Sequence, residues 1–155
     1  MQGRYFKARS DMGFPALLAV SEKGLCFFGY TNDESILERY FKNAAFSEDL
    51  NLSDSLTAIE GGHYDGALDL IGTAFQQKVW AALCAIPQGS VRTYKQVANN
   101  LGMPKAARAV GNAIAKNPVS VIVPCHRVIP LSGGAGNYAW GSEIKKHLLK
   151  REGAL

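Results

Sequence analysis

The chain has 155 residues, 47% of them apolar and 19% charged, enough to bury a core and unlike a disordered or fibrous composition. Three widely spaced cysteines with no Cys-x-x-Cys pair argue against a disulfide framework or a structural zinc site. The net charge of +4 is uneven: residues 1–72 hold six Lys/Arg against eleven Asp/Glu, whereas residues 73–155 hold eleven against two. Asymmetry of this size predicts two modules, 1–70 and 71–155, the second facing a polyanion. The N-terminus lacks the apolar stretch of a secretory leader and no segment reaches transmembrane length, so an intracellular, cytoplasmic protein is expected.

In chain order, Tyr5–Ala8, Ala16–Val20 and Leu25–Tyr30 carry strand patterns, separated by turns at Gly13-Phe14-Pro15 and Glu22-Lys23-Gly24. Ile36, Leu37, Tyr40 and Phe41 predict a helix over Ser35–Phe46, and the polar, Gly/Asp-rich stretch 47–72 predicts a linker. Thr73-x-x-Gln76 and Thr93-x-x-Gln96 are capping boxes, each opening a helix. The first of these helices presents Phe75, Val79, Leu83 and Ile86 on one face and stops at Pro87-Gln88-Gly89. After Gly102 a third helix is predicted over Lys105–Lys116, with Pro104 in its first turn. The second and third helices make a helix-turn-helix.

The third helix offers Ala and Gly with one long cation, Arg108, where a major-groove reader projects several Arg, Asn or Gln side chains. Its smooth face fits either close approach to a minor groove, with Arg108 as a wedge, or tight helix–helix packing. Beyond it the apolar run Val119–Val123 ends at Pro124 and delivers Cys125 beside His126. A thiol next to a base is the pattern of an activated nucleophile, because the thiolate is the reactive species. In an extended segment adjacent side chains diverge, so contact between the two, direct or through a water, requires the chain to turn. A carboxylate must also orient the imidazole, and the basic half offers only Glu143 and Glu152. Cys26 and Cys84 have no His neighbour and read as buried fillers.

Thr73-Ala-Phe-Gln-Gln-Lys-Val-Trp80, Pro104-Lys-Ala-Ala-Arg-Ala-Val-Gly111, Asn117-Pro118 and Pro124-Cys-His-Arg-Val128, in that order, resemble the O6-alkylguanine-DNA alkyltransferases over residues 72–153. The resemblance implies a ribonuclease-H-like α/β N-terminal domain and a mainly α C-terminal domain with a winged-helix-like helix-turn-helix. It also implies single-use repair of O6-alkylguanine, with O4-alkylthymine as a further substrate, by a monomer bound to double-stranded DNA through the minor groove. Cys125 would accept the alkyl group from a base flipped out of the duplex, with His126 and Glu152 activating the thiol. Tyr94 would meet the flipped nucleotide or serve as a core aromatic, and Asn117 would act as a hinge or as a helix C-cap. Arg108 would fill the vacated stack, with Lys105, Ala106, Ala107, Gly111, Tyr94 and Arg127 as further DNA contacts.

Val128, Tyr138, Ala139 and Trp140 would wall the pocket beneath a Gly-rich lid at 132–138. The carbonyls of Cys125 and Val128 would accept the guanine amine, and the Ala139 amide would donate to O6. Trp140 stands where many relatives carry Gly, which predicts a narrow pocket mouth, and Ala139 replaces a common Ser. No cofactor and no metal are expected. The alternatives from other classes are a cysteine hydrolase, a non-catalytic alkyltransferase-like damage binder and a regulatory helix-turn-helix protein. The first leaves the basic half unexplained, the second lacks the nucleophilic cysteine, and the third has no use for Pro-Cys-His-Arg.

Overall fold

The computed structural model describes residues 1–155 and divides them into two compact units, Met1–Ile71 with Pro118–Ile122, and Gly72–Asn117 with Val123–Leu155. The run Pro118–Ile122, which precedes the nucleophile segment, therefore belongs to the first unit and not to the single C-terminal block expected from the charge distribution. No helix is long and apolar enough to cross a membrane.

The first unit is α/β. Strands β1 (Gln2–Arg9), β2 (Pro15–Ser21) and β3 (Leu25–Gly29) form an antiparallel meander. A short helix, α1 (Ile36–Tyr40), leads to β4 (Ala45–Glu48), which pairs parallel to β1 and gives the sheet order β3-β2-β1-β4. The expected helix over Ser35–Phe46 is thus a little over one turn long. Asn43 takes a left-handed φ of 63°, and the backbone of Ala45–Glu48 finds β1 as its partner, which overrides the helical spacing of the side chains. The stretch 47–72 is not a linker throughout. It contains a 3-10 turn (Leu50–Leu52) and α2 (Ser53–Gly61), whose Leu56 and Ile59 join the core. Gly61-Gly62 is the end of that helix, with Gly62 as its left-handed cap at φ 78°.

Pro118–Ile122 adds to this unit as an irregular run. Phe28 donates to Pro118 O at 2.9 Å and accepts from the Ser120 amide at 3.0 Å; the run then leaves the sheet. The Ile122 amide closes a tight turn on Ser120 O at 2.9 Å, which places Val121 at φ 72°. A β-branched residue in that region is strained by its Cβ.

The second unit is mainly helical: α3 (Ala74–Cys84), α4 (Tyr94–Asn100), α5 (Ala107–Ala115) and α6 (Ser142–Arg151), with a minimal parallel pair of β5 (Arg92–Thr93) and β6 (Val128–Ile129). Both capping boxes form, at Thr73/Gln76 and Thr93/Gln96. Helix α5 packs on α3 and α4 through Val110, Ala113 and Ile114, and the buried Trp80 indole donates to Ala113 O at 2.9 Å. The helix begins at Ala107, not Lys105: the Ala106 amide bonds Met103 O, so Pro104 occupies the second position of a β-turn that precedes the helix.

Because Thr93 both pairs β5 with β6 and caps α4, it fixes where Tyr94 starts. Thr93→Ala is expected to cost about 1 kcal/mol, or roughly 3 °C in Tm, read by thermal unfolding of variant against parent.

Candidate active site

The sequence required a turn between Pro124 and Arg127, and two are present. Pro124, at φ −82° and ψ 65°, centres an inverse γ-turn closed by the Cys125 amide on Val123 O at 2.8 Å. A 3-10 turn over Cys125–Arg127 follows at once. The two turns take the chain out of an extended strand, and both Cys125 and His126 are buried, the latter completely. Asn117, also buried, donates from Nδ2 to Val123 O at 2.8 Å. Its side chain therefore serves the nucleophile segment, while the helix C-cap falls on Lys116.

His126 Nε2 lies 3.0 Å from Glu152 Oε2. Burial pushes the Glu152 carboxyl upward, but the hydrogen bonds and charges of His126 and Arg127 outweigh it and hold the group down at about 2. For His126 burial dominates and keeps the imidazole below its ordinary 6.5, against the opposing pull of Glu152 and with the help of the Arg127 and Lys145 charges. A neutral imidazole facing an ionised carboxylate must donate from Nε2, so Nδ1 is the basic nitrogen. Nδ1 is buried and has no hydrogen-bond partner in the protein.

Arg127 does not face outward as a DNA contact. Its Nε reaches Glu152 Oε1 at 3.0 Å, its Nη2 reaches Oε2 at 2.8 Å, and its Nη1 donates to Ile86 O at 2.7 Å. A bidentate fork on a buried carboxylate is the most favourable geometry available to a guanidinium, so the side chain turns inward.

Tyr94 is half-buried at the start of α4. Burial, and then the nearby Cys125, raise its phenol above the ordinary 10.0, so it keeps its proton. Its ring lies beside Gly111 of α5, where an added Cβ would meet ring carbons at 3.7 Å. On α5 and its lead-in, Lys105 and Arg108 are exposed, and Ala106, Ala107 and Gly111 are half-buried. The turn and loop after β6 hold Tyr138 and Trp140 half-buried and Ala139 exposed. The Cys125 carbonyl already accepts from the Val128 amide.

Lys145 was not singled out by sequence reasoning. It is fully buried in α6, and its Nζ donates to Val128 O at 2.6 Å and Asn137 O at 3.1 Å, closing the loop between them. Burial brings its ammonium down to about 8, with Cys125 pulling the other way. The signal was present: Ile144, Lys145, Leu148 and Leu149 share one helical face. Cys84, expected in the core, is exposed at the last position of α3, while Cys26 is buried.

The model of the 6-O-methylguanine DNA methyltransferase DNA-binding domain matches residues 74–154. A methylated-DNA–protein-cysteine methyltransferase of Methanosarcina barkeri is 41% identical over 147 residues, covering 89% of this chain and 90% of that protein. A protein of the same name from Mycobacterium leprae is 47% identical over 111 residues, 72% of this chain and 67% of its own. The crystal structure of Mycobacterium tuberculosis OGT in complex with DNA superposes with a TM-score of 0.80 at 37% identity, covering 97% of this chain and 93% of that one.

The site's charge state predicts a two-stage acid response. His126 has a depressed pKa, so its contribution to stability is complete above 6.5 and is lost as pH falls through its lower folded value. Glu152 contributes fully above 4.5 and is lost toward about 2. Urea unfolding followed from neutral pH downward is expected to show both stages, with His126→Gln flattening the first and Glu152→Gln the second.

Proposed function

The chain belongs to the 6-O-methylguanine DNA methyltransferase family, and from that premise we propose how its own residues carry out direct-reversal repair, moving an alkyl group from O6-alkylguanine in DNA to Cys125. The observation that carries this assignment is the ordered chain Glu152–His126 beside Cys125, which leaves Nδ1 as the proton acceptor. Nδ1 takes the thiol proton, directly or through one water, and the thiolate attacks the alkyl carbon. The S–C bond forms as the C–O6 bond breaks. Negative charge develops on guanine O6 and its ring, and the protonated Tyr94 hydroxyl stands as the donor that neutralises it. The product is a thioether, which water does not cleave, so each molecule acts once.

The target atom is inside a base stack, so the base must leave the duplex at a cost on the order of a few kcal/mol. Arg108, exposed on the small-residue helix α5, fills the gap, and Lys105, Ala106 and Ala107 approach the minor groove with it. Gly111 lies against the Tyr94 ring and adds a smooth position to the face that approaches the groove. Val128, Tyr138, Ala139 and Trp140 wall the pocket for the flipped base. Phosphate contacts from the basic unit make binding largely indifferent to sequence. Asn117 positions the nucleophile segment through Val123 O. The protein works as a monomer on chromosomal DNA inside the cell. The ribonuclease-H-like reading of the first unit is supported by its antiparallel meander with a fourth strand parallel to the first. The β5–β6 pair leading into α4, with α5 packed on α4, supports the winged-helix-like reading of the second.

With O6-methylguanine duplex in excess, repair should stop at one methyl per protein, and Cys125→Ala should repair none. Continued turnover past one equivalent would refute the single-use reading. Because Trp140 narrows the pocket mouth, inactivation by free O6-benzylguanine should be slower for this protein than for Trp140→Gly. Equal rates would remove Trp140 as the determinant.

A further inference from the structure

Arg127 is a largely buried side chain beside the site to which the repair chemistry assigns no task, and its environment suggests one. It comes from the same 3-10 turn as Cys125 and His126, is largely buried, and spends all its reach inside the protein. Two of its nitrogens clamp both oxygens of Glu152, and the third holds Ile86 O just beyond α3. Glu152 Oε2 is thus shared between Arg127 Nη2 at 2.8 Å and His126 Nε2 at 3.0 Å.

A carboxylate paired only with a buried histidine would stabilise the imidazolium and fill Nδ1 with a proton. Here a permanent cation already balances it. We propose that Arg127 is a positioning residue for alkyl transfer, which compensates the Glu152 charge so that the carboxylate orients His126 without protonating it. This rests on the reading of His126 as the proton acceptor.

The charged and titratable groups around the imidazole are few. Glu152 approaches from the end of α6, Lys145 from within α6, and Arg127 and Cys125 from the 3-10 turn. Tyr94 faces Cys125 from α4, and Cys84 faces Arg127 from α3. Of the charges acting directly on the ring, Glu152 favours the imidazolium, Arg127 and Lys145 oppose it, and Arg127 is the cation bonded to Glu152. Removing the guanidinium therefore shifts the balance in one direction.

The test is the rate of methyl transfer from O6-methylguanine duplex as a function of pH, for the full chain and four variants. In Arg127→Gln the acid limb of the profile should move up by roughly one unit, because an opposite charge left uncompensated acts on that scale. In Glu152→Gln, where the cation stands alone beside the ring, the limb should move below the parent's. The Arg127→Gln/Glu152→Gln double variant, with neither charge, should return between the two, and it carries the test with Glu152→Gln if the single Arg127 variant does not fold. The salt dependence of DNA binding should be the same in all. Acid limbs that coincide across the series, with only a uniform loss of rate, would overturn the proposal. So would a salt slope reduced by about 1 in Arg127→Gln, which is the mark of a lost phosphate contact. If His126→Gln transfers methyl at the parent rate, the acceptor reading itself fails, which is a separate outcome from unmoved limbs in a His126-dependent protein.

Discussion

The buried carboxylate of Glu152 is the constraint around which the second unit is arranged. An ionised carboxyl removed from water costs several kcal/mol unless its lone pairs are occupied and its charge is balanced. Three hydrogen bonds meet that demand, two from Arg127 and one from His126. Both partners sit on the 3-10 turn that also carries Cys125, so satisfying Glu152 fixes that turn. Arg127 extends the same network to Ile86, and Lys145, about two turns earlier on the same side of α6, secures the loop after β6 through two carbonyls. The position of the nucleophile is thus set by the electrostatics of one acidic group at the end of α6.

The backbone leading to the thiol is equally specified. Val121 sits at φ 72° and Pro124 in an inverse γ-turn, so the chain reverses twice within a few residues. A strained residue persists only where its surroundings over-determine it. Ser120 is held by Phe28, and Val123 O accepts from Asn117. The second anchor holds the residue at which the Pro124 turn begins, one turn before Cys125. Pre-placement of this kind suits a thiol that reacts once and has no later cycle in which to correct its geometry.

Much of the second unit was legible because its signals are local. Thr73 and Thr93 announce their helices by capping boxes, and Pro124-Cys125-His126-Arg127 announces its chemistry by composition. The first unit was harder. Leu52, Leu56 and Ile59 are too sparse among Ser, Asp and Gly to stand out as a helix, and Ala45–Glu48 becomes a strand only because β1 offers an edge. Arg127 departs from its expected place for a related reason. An arginine in a basic half points to phosphate by default, and only the fold shows that the sole nearby carboxylate has claimed it. Lys145 is similar: its place on the buried helical face is visible in the sequence, but its partners are the carbonyls of Val128 in β6 and Asn137 in the loop that follows, which no spacing rule reveals.

In the proposed reaction Cys125, and not the exposed Cys84, is the sacrificial acceptor, activated through Glu152 and His126. Peptide mapping by mass spectrometry, after the protein has met one equivalent of O6-methylguanine duplex, tests it most directly. A single S-methyl group is expected on the peptide bearing Cys125, formed as the lesion disappears. Complete loss of the lesion with Cys125 unmodified, or with the methyl group on Cys84, would contradict it.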